Sequence, residues 1–457
     1  MPMLRPMPIL DSGLLIGEIR NQPMHVGGLQ VFERPTGADV PAVGELFREF
    51  LGFTDAQGIF AQRPRRSAAS GWLWRWEDDP HFDIRNHVHH VALPSPAGDA
   101  ALYQATGRLH QGELDRSMPL WQAYFIDGLS EDRFAVYTKL HHSMIDGVSA
   151  MRLLQASMST DPDERHCIPP WADTPRIRGN QASSKALAEK LFGASRTGLS
   201  VAADAATFPA AFARTALRTD GPWSFSAPRT PLNVAVTGSR KFVGRSWPIE
   251  RFSAIAAAAD CRLNDVVLAA CAGGLRRMLL EMSALPDASL TALVPVSLRG
   301  EQANLGGNAV GAVLCNLGTN LDDPRQRLSQ IIQSMHDSKE AFASMSKRQA
   351  EFMLALMLSP VALGRLFRLV GSTPPPFNLV ISNVPGPSQQ QYWNGARLRE
   401  IFPLSLLVDG QALNISCASH DDVLSFGAVA CARALPHADR LFDHVEAGLA
   451  ELERAVG

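Results

Sequence analysis

The sequence predicts an α/β protein of two sandwich domains, on three observations. Strand-like and helix-like stretches are mixed in both halves of the chain, with no internal repeat. The 457 residues exceed what one hydrophobic core usually supports. Residues 176–230, rich in Ser, Ala, Gly and Arg, read as a crossover linker between two compact halves, giving divisions of 1–175, 176–230 and 231–457.

In the first half, Ser12 is placed to cap a short helix ahead of a strand at 29–32. His25 stands before Val26-Gly27-Gly28; a packed, hydrogen-bonded role suits it better than proton transfer, and the glycines allow close backbone approach. Residues 40–52 form a helix with Leu46, Phe47, Phe50 and Leu51 apolar. A basic turn with Arg63, Arg65 and Arg66 then leads into an alternating Trp72, Trp74, Trp76 face. Those arginines fit a nucleotide phosphate and a solvated turn equally well. His89-His90 reads as structural, because Pro94 follows where a helix would have to run. A helix at 100–111 precedes a strand ending at Asp127-Gly128, which pairs through the turn 127–132 with the next strand.

That next strand carries the chemistry. Phe134, Val136, Thr138 and Leu140 alternate with Ala135, Tyr137 and Lys139, the period of a strand buried mainly on one face. From Val148 onward Met151, Leu153 and Leu154 mark a helix, with Asp146-Gly147 as the turn between. His141 and His142 therefore sit in a strand-to-helix corner. Neighbouring side chains at a strand end point opposite ways, so one works and the other packs. A lone imidazole near neutral pH transfers protons, although an arbitrary His is more often a hydrogen-bonded core residue.

In the second half, strands are expected at 240–247, in LTALVPVSLRG ending at Arg299, at 309–317, and in FNLVISNVPGP, ALNISCASH and VLSFGAVACA. Helices are expected at 249–259, through LNDVVLAACAGGLRRMLLEM with Asn264 as its cap, at 324–342 and at 438–454. The linker stretch 186–217 carries Lys185, Lys190, Arg196, Arg214 and Arg218 in or beside it, which suits either an anionic membrane surface or a helix packed across both domains.

Composition excludes several classes. A formal net charge of −2 with 19% charged residues argues against nucleic acid as a partner. Cys167, Cys261, Cys271, Cys315, Cys417 and Cys431 form no CxxC pair and read as reduced thiols without a zinc site. Neither a signal-peptide run nor a membrane-spanning apolar segment is found; the nearest, 352–364, is interrupted by Pro360. HHxxxD after a strand differs from the HExxH of zinc hydrolases, and no GxSxG supplies an esterase nucleophile.

HHSMIDG at 141–147 matches the HHxxxDG signature of acyltransferases with the chloramphenicol-acetyltransferase-like fold. QPMHVGGLQVF at 22–32, MPLW at 118–121, LNDVVL at 263–268, FNLVISNVPGP at 377–387 and YWNGARL at 392–398 narrow this. Together they make the chain similar to the bacterial wax ester synthase/diacylglycerol acyltransferase family over nearly its whole length. The resemblance implies two domains of one shared fold, with the active-site channel at their interface. It implies that the second His, His142, is the general base for transfer of a long-chain acyl group from acyl-CoA to a fatty alcohol or diacylglycerol, without cofactor or metal. His141, Asp146, Gly147, Asn264 and Arg299 are expected as support. Asp146 would turn away to pair with an arginine of the other domain, Arg299 first and Arg240 second. Gly147 would allow a backbone conformation that a Cβ hinders. Backbone N–H groups near Gly147 and the Asn264 side chain are candidate oxyanion donors. A water-insoluble substrate class implies peripheral attachment to the cytoplasmic face of the membrane and to lipid droplets, through 186–217 or 352–367. The alternatives are transfer to shorter alcohols, a peptide-synthetase condensation-like enzyme, and a non-catalytic lipid-droplet scaffold.

Overall fold

The structure, a computed structural model, describes residues 5–7, 9–35, 42–66, 73–130, 132–145, 147–172, 227–297, 310–343 and 374–457. The readings placed on Trp72, Asp146, Arg299, the linker stretch 186–217 and the apolar segment 352–367 lie outside these residues.

The first half contains β1 (Arg5–Pro6), α1 (Ile9–Gly17), β2 (His25–Glu33), α2 (Val43–Leu51), β3 (Gln62–Arg65), β4 (Arg75–Asp78), β5 (Val88–Ala97), α3 (Asp99–Gln111), β6 (Trp121–Leu129), β7 (Arg133–His141) and α4 (Gly147–Ala156). The second half contains β8 (Arg240–Pro248), α5 (Ile249–Ala258), α6 (Leu263–Glu281), β9 (Thr291–Ser297), β10 (Val310–Asn316), α7 (Pro324–Ala343), β11 (Leu379–Val384), β12 (Tyr392–Trp393), β13 (Ala396–Leu404), β14 (Leu413–His420), β15 (Val423–Cys431) and α8 (Leu441–Val456). The α/β class and the two sandwich-like halves are as expected. β6 and β7 pair antiparallel, with Trp121 opposite Leu140, but β6 runs through Asp127-Gly128 to Leu129, so the connection is shorter than the expected turn at 127–132.

Each half is built on a six-stranded mixed sheet. The second runs β10-β9-β11-β14-β15-β8, and the first runs β12-β13-β2-β7-β6-β5. The first sheet therefore takes two strands from the second half of the chain: β13 pairs antiparallel with β2, Phe402 opposite Leu29. A division at 231–457 is crossed by this strand pair, because the backbone edge of β2 needs hydrogen-bond partners that nothing nearby in sequence supplies.

The alternation of β7 builds two cores at once. Phe134 and Leu140 pack with Phe32, Phe125 and Phe50 on one face. Ala135 and Tyr137 point the other way, into a cluster that includes Phe242, Val429 and Cys431 of the second sheet. That second cluster joins the halves, with α3 as the wedge: a Cβ on Gly107 would lie 3.1 Å from the backbone nitrogen of Phe242.

The arginines of the basic turn are committed to protein. Arg63 and Arg65 both pair with the buried carboxylate of Glu77, and the Arg66 guanidinium lies 5.0 Å over the Trp74 ring. His89 and His90 sit on β5, their rings beside Tyr124 and Phe47 respectively. All six cysteines are free thiols, and no cluster of potential metal ligands occurs among the described residues.

Candidate active site

β7 ends at His141, and the chain turns through His142, Ser143 and Met144 before α4 begins. His141 is fully buried and His142 half-exposed, the divergence that strand alternation predicts. The turn is held from three sides. His141 N–H donates to the Leu120 carbonyl (2.9 Å), His142 N–H to the Met24 carbonyl (2.8 Å), and Met144 N–H to the His141 carbonyl (2.9 Å). Leu120 belongs to the MPLW stretch and Met24 to QPMH, so two further motifs serve as backbone braces for the corner.

The ring of His141 has a defined tautomer. Ser143 N–H donates to its Nδ1 at 3.1 Å, and Ser143 Oγ lies 2.7 Å from the same nitrogen. Nδ1 is thus an acceptor, which leaves the proton on Nε2. Nε2 faces Oε1 of Glu18 at 3.6 Å, an ion-pair separation beyond hydrogen-bond length. Glu18 also accepts from Met24 N–H (2.9 Å) and from Arg116 Nη2 (2.9 Å). Burial pushes the Glu18 carboxyl up, but the facing His141 ring and the hydrogen bonds from Met24 and Arg116 outweigh it and hold the group at about 2.

Behind the corner lies a buried polar seam. His25 pairs with His141 across β2 and β7, and its Nε2 donates to the His110 carbonyl at 2.5 Å. Burial holds His25 well below the ordinary histidine value, so it is neutral and structural. His110 Nε2 donates to the Ser405 carbonyl (3.1 Å), and its Nδ1 accepts from Tyr137 Oη (2.7 Å). Lys139 donates to the carbonyls of Leu109 and Gly112, where the C-terminal end of α3 presents negative charge; burial lowers it to about 8. Gly27 makes room for this seam, since a Cβ there would come within 2.6 Å of the Tyr137 ring.

Two expectations change. Asn264 does not cap α6: Arg262 is the N-cap, and the Asp265 carboxylate accepts its N–H at 3.1 Å, as in a capping box. Asn264 is thereby free to reach β11, where its Oδ1 accepts from Asn383 at 3.3 Å. The next residue, Val384, packs with Met151 of α4, so this amide pair lies on the second half's side of the seam that α4 enters. Gly147 is not required by sterics among the described residues, where an added Cβ meets nothing within 4 Å. Arg240 donates to the carbonyls of Thr237 and Asn21 and ties the halves together, while its expected pairing with Asp146 involves a residue outside those described. Asp146 and Arg299 lie outside the described residues.

An apolar cavity of about 40 Å³ opens on the face of β7 that carries Thr138 and Leu140, walled by Leu153, Leu154 and Met158 beyond the corner and by Trp171 and Trp393. Glu18, Arg116, Ser143, His110 and Asn383 were not singled out in the sequence. The lone acidic residue in the apolar run before QPMH was the available signal for Glu18.

Residues 7–267 match the wax ester synthase/diacylglycerol acyltransferase catalytic domain, and 306–453 match the C-terminal domain of the same family. A putative diacylglycerol O-acyltransferase of Mycobacterium tuberculosis is 43% identical over 98% of this chain and 99% of its own. A probable diacylglycerol O-acyltransferase of the same species is 42% identical over 98% of each chain. The solved wax ester synthase/diacylglycerol acyltransferase of Marinobacter aquaeolei superposes with a TM-score of 0.80 at 35% identity, covering 99% of this chain and 100% of that one. The starter condensation domain of rhizomide synthetase, solved with C8-CoA, shares the fold at a TM-score of 0.56 and 15% identity, over 98% and 95% of the two chains.

Proposed function

The chain belongs to the wax ester synthase/diacylglycerol acyltransferase family, and on that premise we propose that His142 is the general base of its acyl transfer. The protein is an acyl-CoA-dependent O-acyltransferase. The observation that carries the role of His142 is the corner itself. One histidine is buried and tied into a carboxylate, and its neighbour is half-exposed with its backbone braced.

The alcohol oxygen loses its proton to the His142 imidazole as it attacks the thioester carbonyl. The carbonyl oxygen becomes an oxyanion in a tetrahedral intermediate, which needs donors already in place. Asn264 suits this role because Asn383 occupies its carbonyl, leaving its NH₂ to donate. The intermediate then expels the CoA thiolate, and His142 returns the proton to it. This sequence calls on no cofactor beyond acyl-CoA as co-substrate.

The apolar cavity beside Leu140 supports an alkyl chain as the transferred group. At about 40 Å³ it is well below the roughly 300 Å³ at which ligand pockets begin, so a long chain enters only if flexible walls such as Leu154 and Met158 swing aside. The acceptor class is a fatty alcohol, a diacylglycerol, or both. Water-insoluble acceptors place the enzyme peripherally at the cytoplasmic membrane face and at lipid droplets. No helix among the described residues is long and apolar enough to cross a membrane. The test is an acceptor panel with palmitoyl-CoA, following CoA release. Turnover with long-chain alcohols or diacylglycerol is expected, and release independent of acceptor would refute the reading.

A further inference from the structure

Glu18 reaches both histidines of the corner at once. Its Oε1 accepts from Met24 N–H at 2.9 Å, and the carbonyl of the same Met24 accepts from His142 N–H at 2.8 Å. The same Oε1 is 3.6 Å from His141 Nε2, and on the far side of that ring Nδ1 accepts from Ser143 N–H at 3.1 Å. The peptide units on either side of His142 are therefore each held through a short path that ends on one carboxylate. The other oxygen, Oε2, is taken up by Arg116 at 2.9 Å from Nη2 and 3.2 Å from Nε. Glu18 is left with no freedom to turn away.

From this geometry we infer that Glu18 is a positioning residue for His142, acting through the tautomer of His141 and the backbone of Met24. The carboxylate favours a proton on the facing His141 Nε2, because an unprotonated Nε2 would set a lone pair against an anion. His141 Nε2 is buried and has no hydrogen-bond partner among the described residues, so Glu18 is the group that acts on this nitrogen while Ser143 N–H acts on Nδ1. With Nδ1 kept as an acceptor, Ser143 N–H stays bound and the turn cannot rotate about His142. In the opposite tautomer an N–H on Nδ1 would meet Ser143 N–H head-on, and the peptide plane between His142 and Ser143 would have to flip. The ring of His142 would then lose its fixed approach to the reacting oxygen, and a misplacement on the order of 1 Å costs about 100-fold in rate.

This inference rests on His142 as the base, and the two fail in different ways. Histidine ¹⁵N spectra of the wild-type protein are expected to show His141 as the Nε2–H tautomer, assigned by its loss in His141→Gln. Observation of the Nδ1–H form would overturn the inference, even if Glu18→Gln failed to fold. In Glu18→Gln the His141 signals should shift toward the Nδ1–H form, with kcat about 10- to 100-fold lower and KM for acyl-CoA and acceptor within about twofold. A changed tautomer with wild-type kcat would overturn it, as would a lowered kcat with an unchanged tautomer. An active His142→Ala enzyme would instead remove the general-base reading and leave the tautomer assignment standing.

Discussion

The hydroxyl of Tyr137 donates to Nδ1 of His110 at 2.7 Å, both side chains fully buried where the two halves meet. That bond sets His110 Nε2 as the donor to the Ser405 carbonyl and so ties α3 to the end of β13. Tyr137→Phe keeps the ring and its stacking on Tyr124 but leaves a buried nitrogen without its donor. Stability should fall by about 1–3 kcal/mol in denaturant unfolding. An unchanged midpoint would show that the seam does not depend on this bond.

His142→Ala should lower turnover by about two to four orders of magnitude, the usual share of a general base, with circular dichroism and melting temperature near wild type. His141→Ala should lower the melting temperature as well as activity, because it empties a fully buried site and releases the Ser143 N–H. Near-full activity in folded His142→Ala would refute the mechanism.

Acid should destabilise the fold in two stages. Burial holds His110 at about 3 against an ordinary value of 6.5, so below pH 6.5 the unfolded chain takes up a proton that the native one does not. Stability therefore declines as pH drops from about 6.5 toward 3. Glu18, held at about 2 against 4.5, contributes stability above 4.5 that is lost as pH falls toward 2. Melting temperature against pH for wild type and Glu18→Gln should diverge in slope only below about 4.5. Divergence in slope at neutral pH would contradict the assignment.

Two glycines should respond differently to alanine. Gly27→Ala drives a Cβ to 2.6 Å from the Tyr137 ring and should cost about 1–3 kcal/mol, with non-additivity against Tyr137→Phe in a double-mutant cycle. Gly147→Ala meets open space among the described residues at the first residue of α4 and should leave the melting temperature unchanged or slightly raised. Any activity lost in Gly147→Ala with stability intact then reports on substrate approach at the helix start.

Liposome flotation tests the peripheral location. Attachment through the basic stretch 186–217 should weaken with salt, as each Lys or Arg near anionic lipid contributes about 1 kcal/mol and is screened. Attachment through 352–367 should survive salt and yield to detergent. Failure to float in either condition, with activity on dispersed substrate intact, would defeat the location and leave the chemistry untouched.

The parts of this protein that depend on near neighbours in the chain could be read from the sequence alone. The alternation from Phe134 to Leu140 and the apolar spacing of α4 each encode local backbone geometry, so β7 and α4 appear where expected, while β6 runs on through Asp127-Gly128 to Leu129. The divergence of His141 from His142 followed from the same period. What local pattern does not carry is which distant group fills an open valence. The bare edge of β2 is completed by β13, hundreds of residues later, and the Nε2 of His141 faces Glu18 from the end of α1. Asn264 reads as a cap until Asp265 is seen to take that place and Asn383 to claim its amide. Many residues could satisfy each of these groups on chemical type, and only the packing of the two sheets against α3 decides which one is within reach.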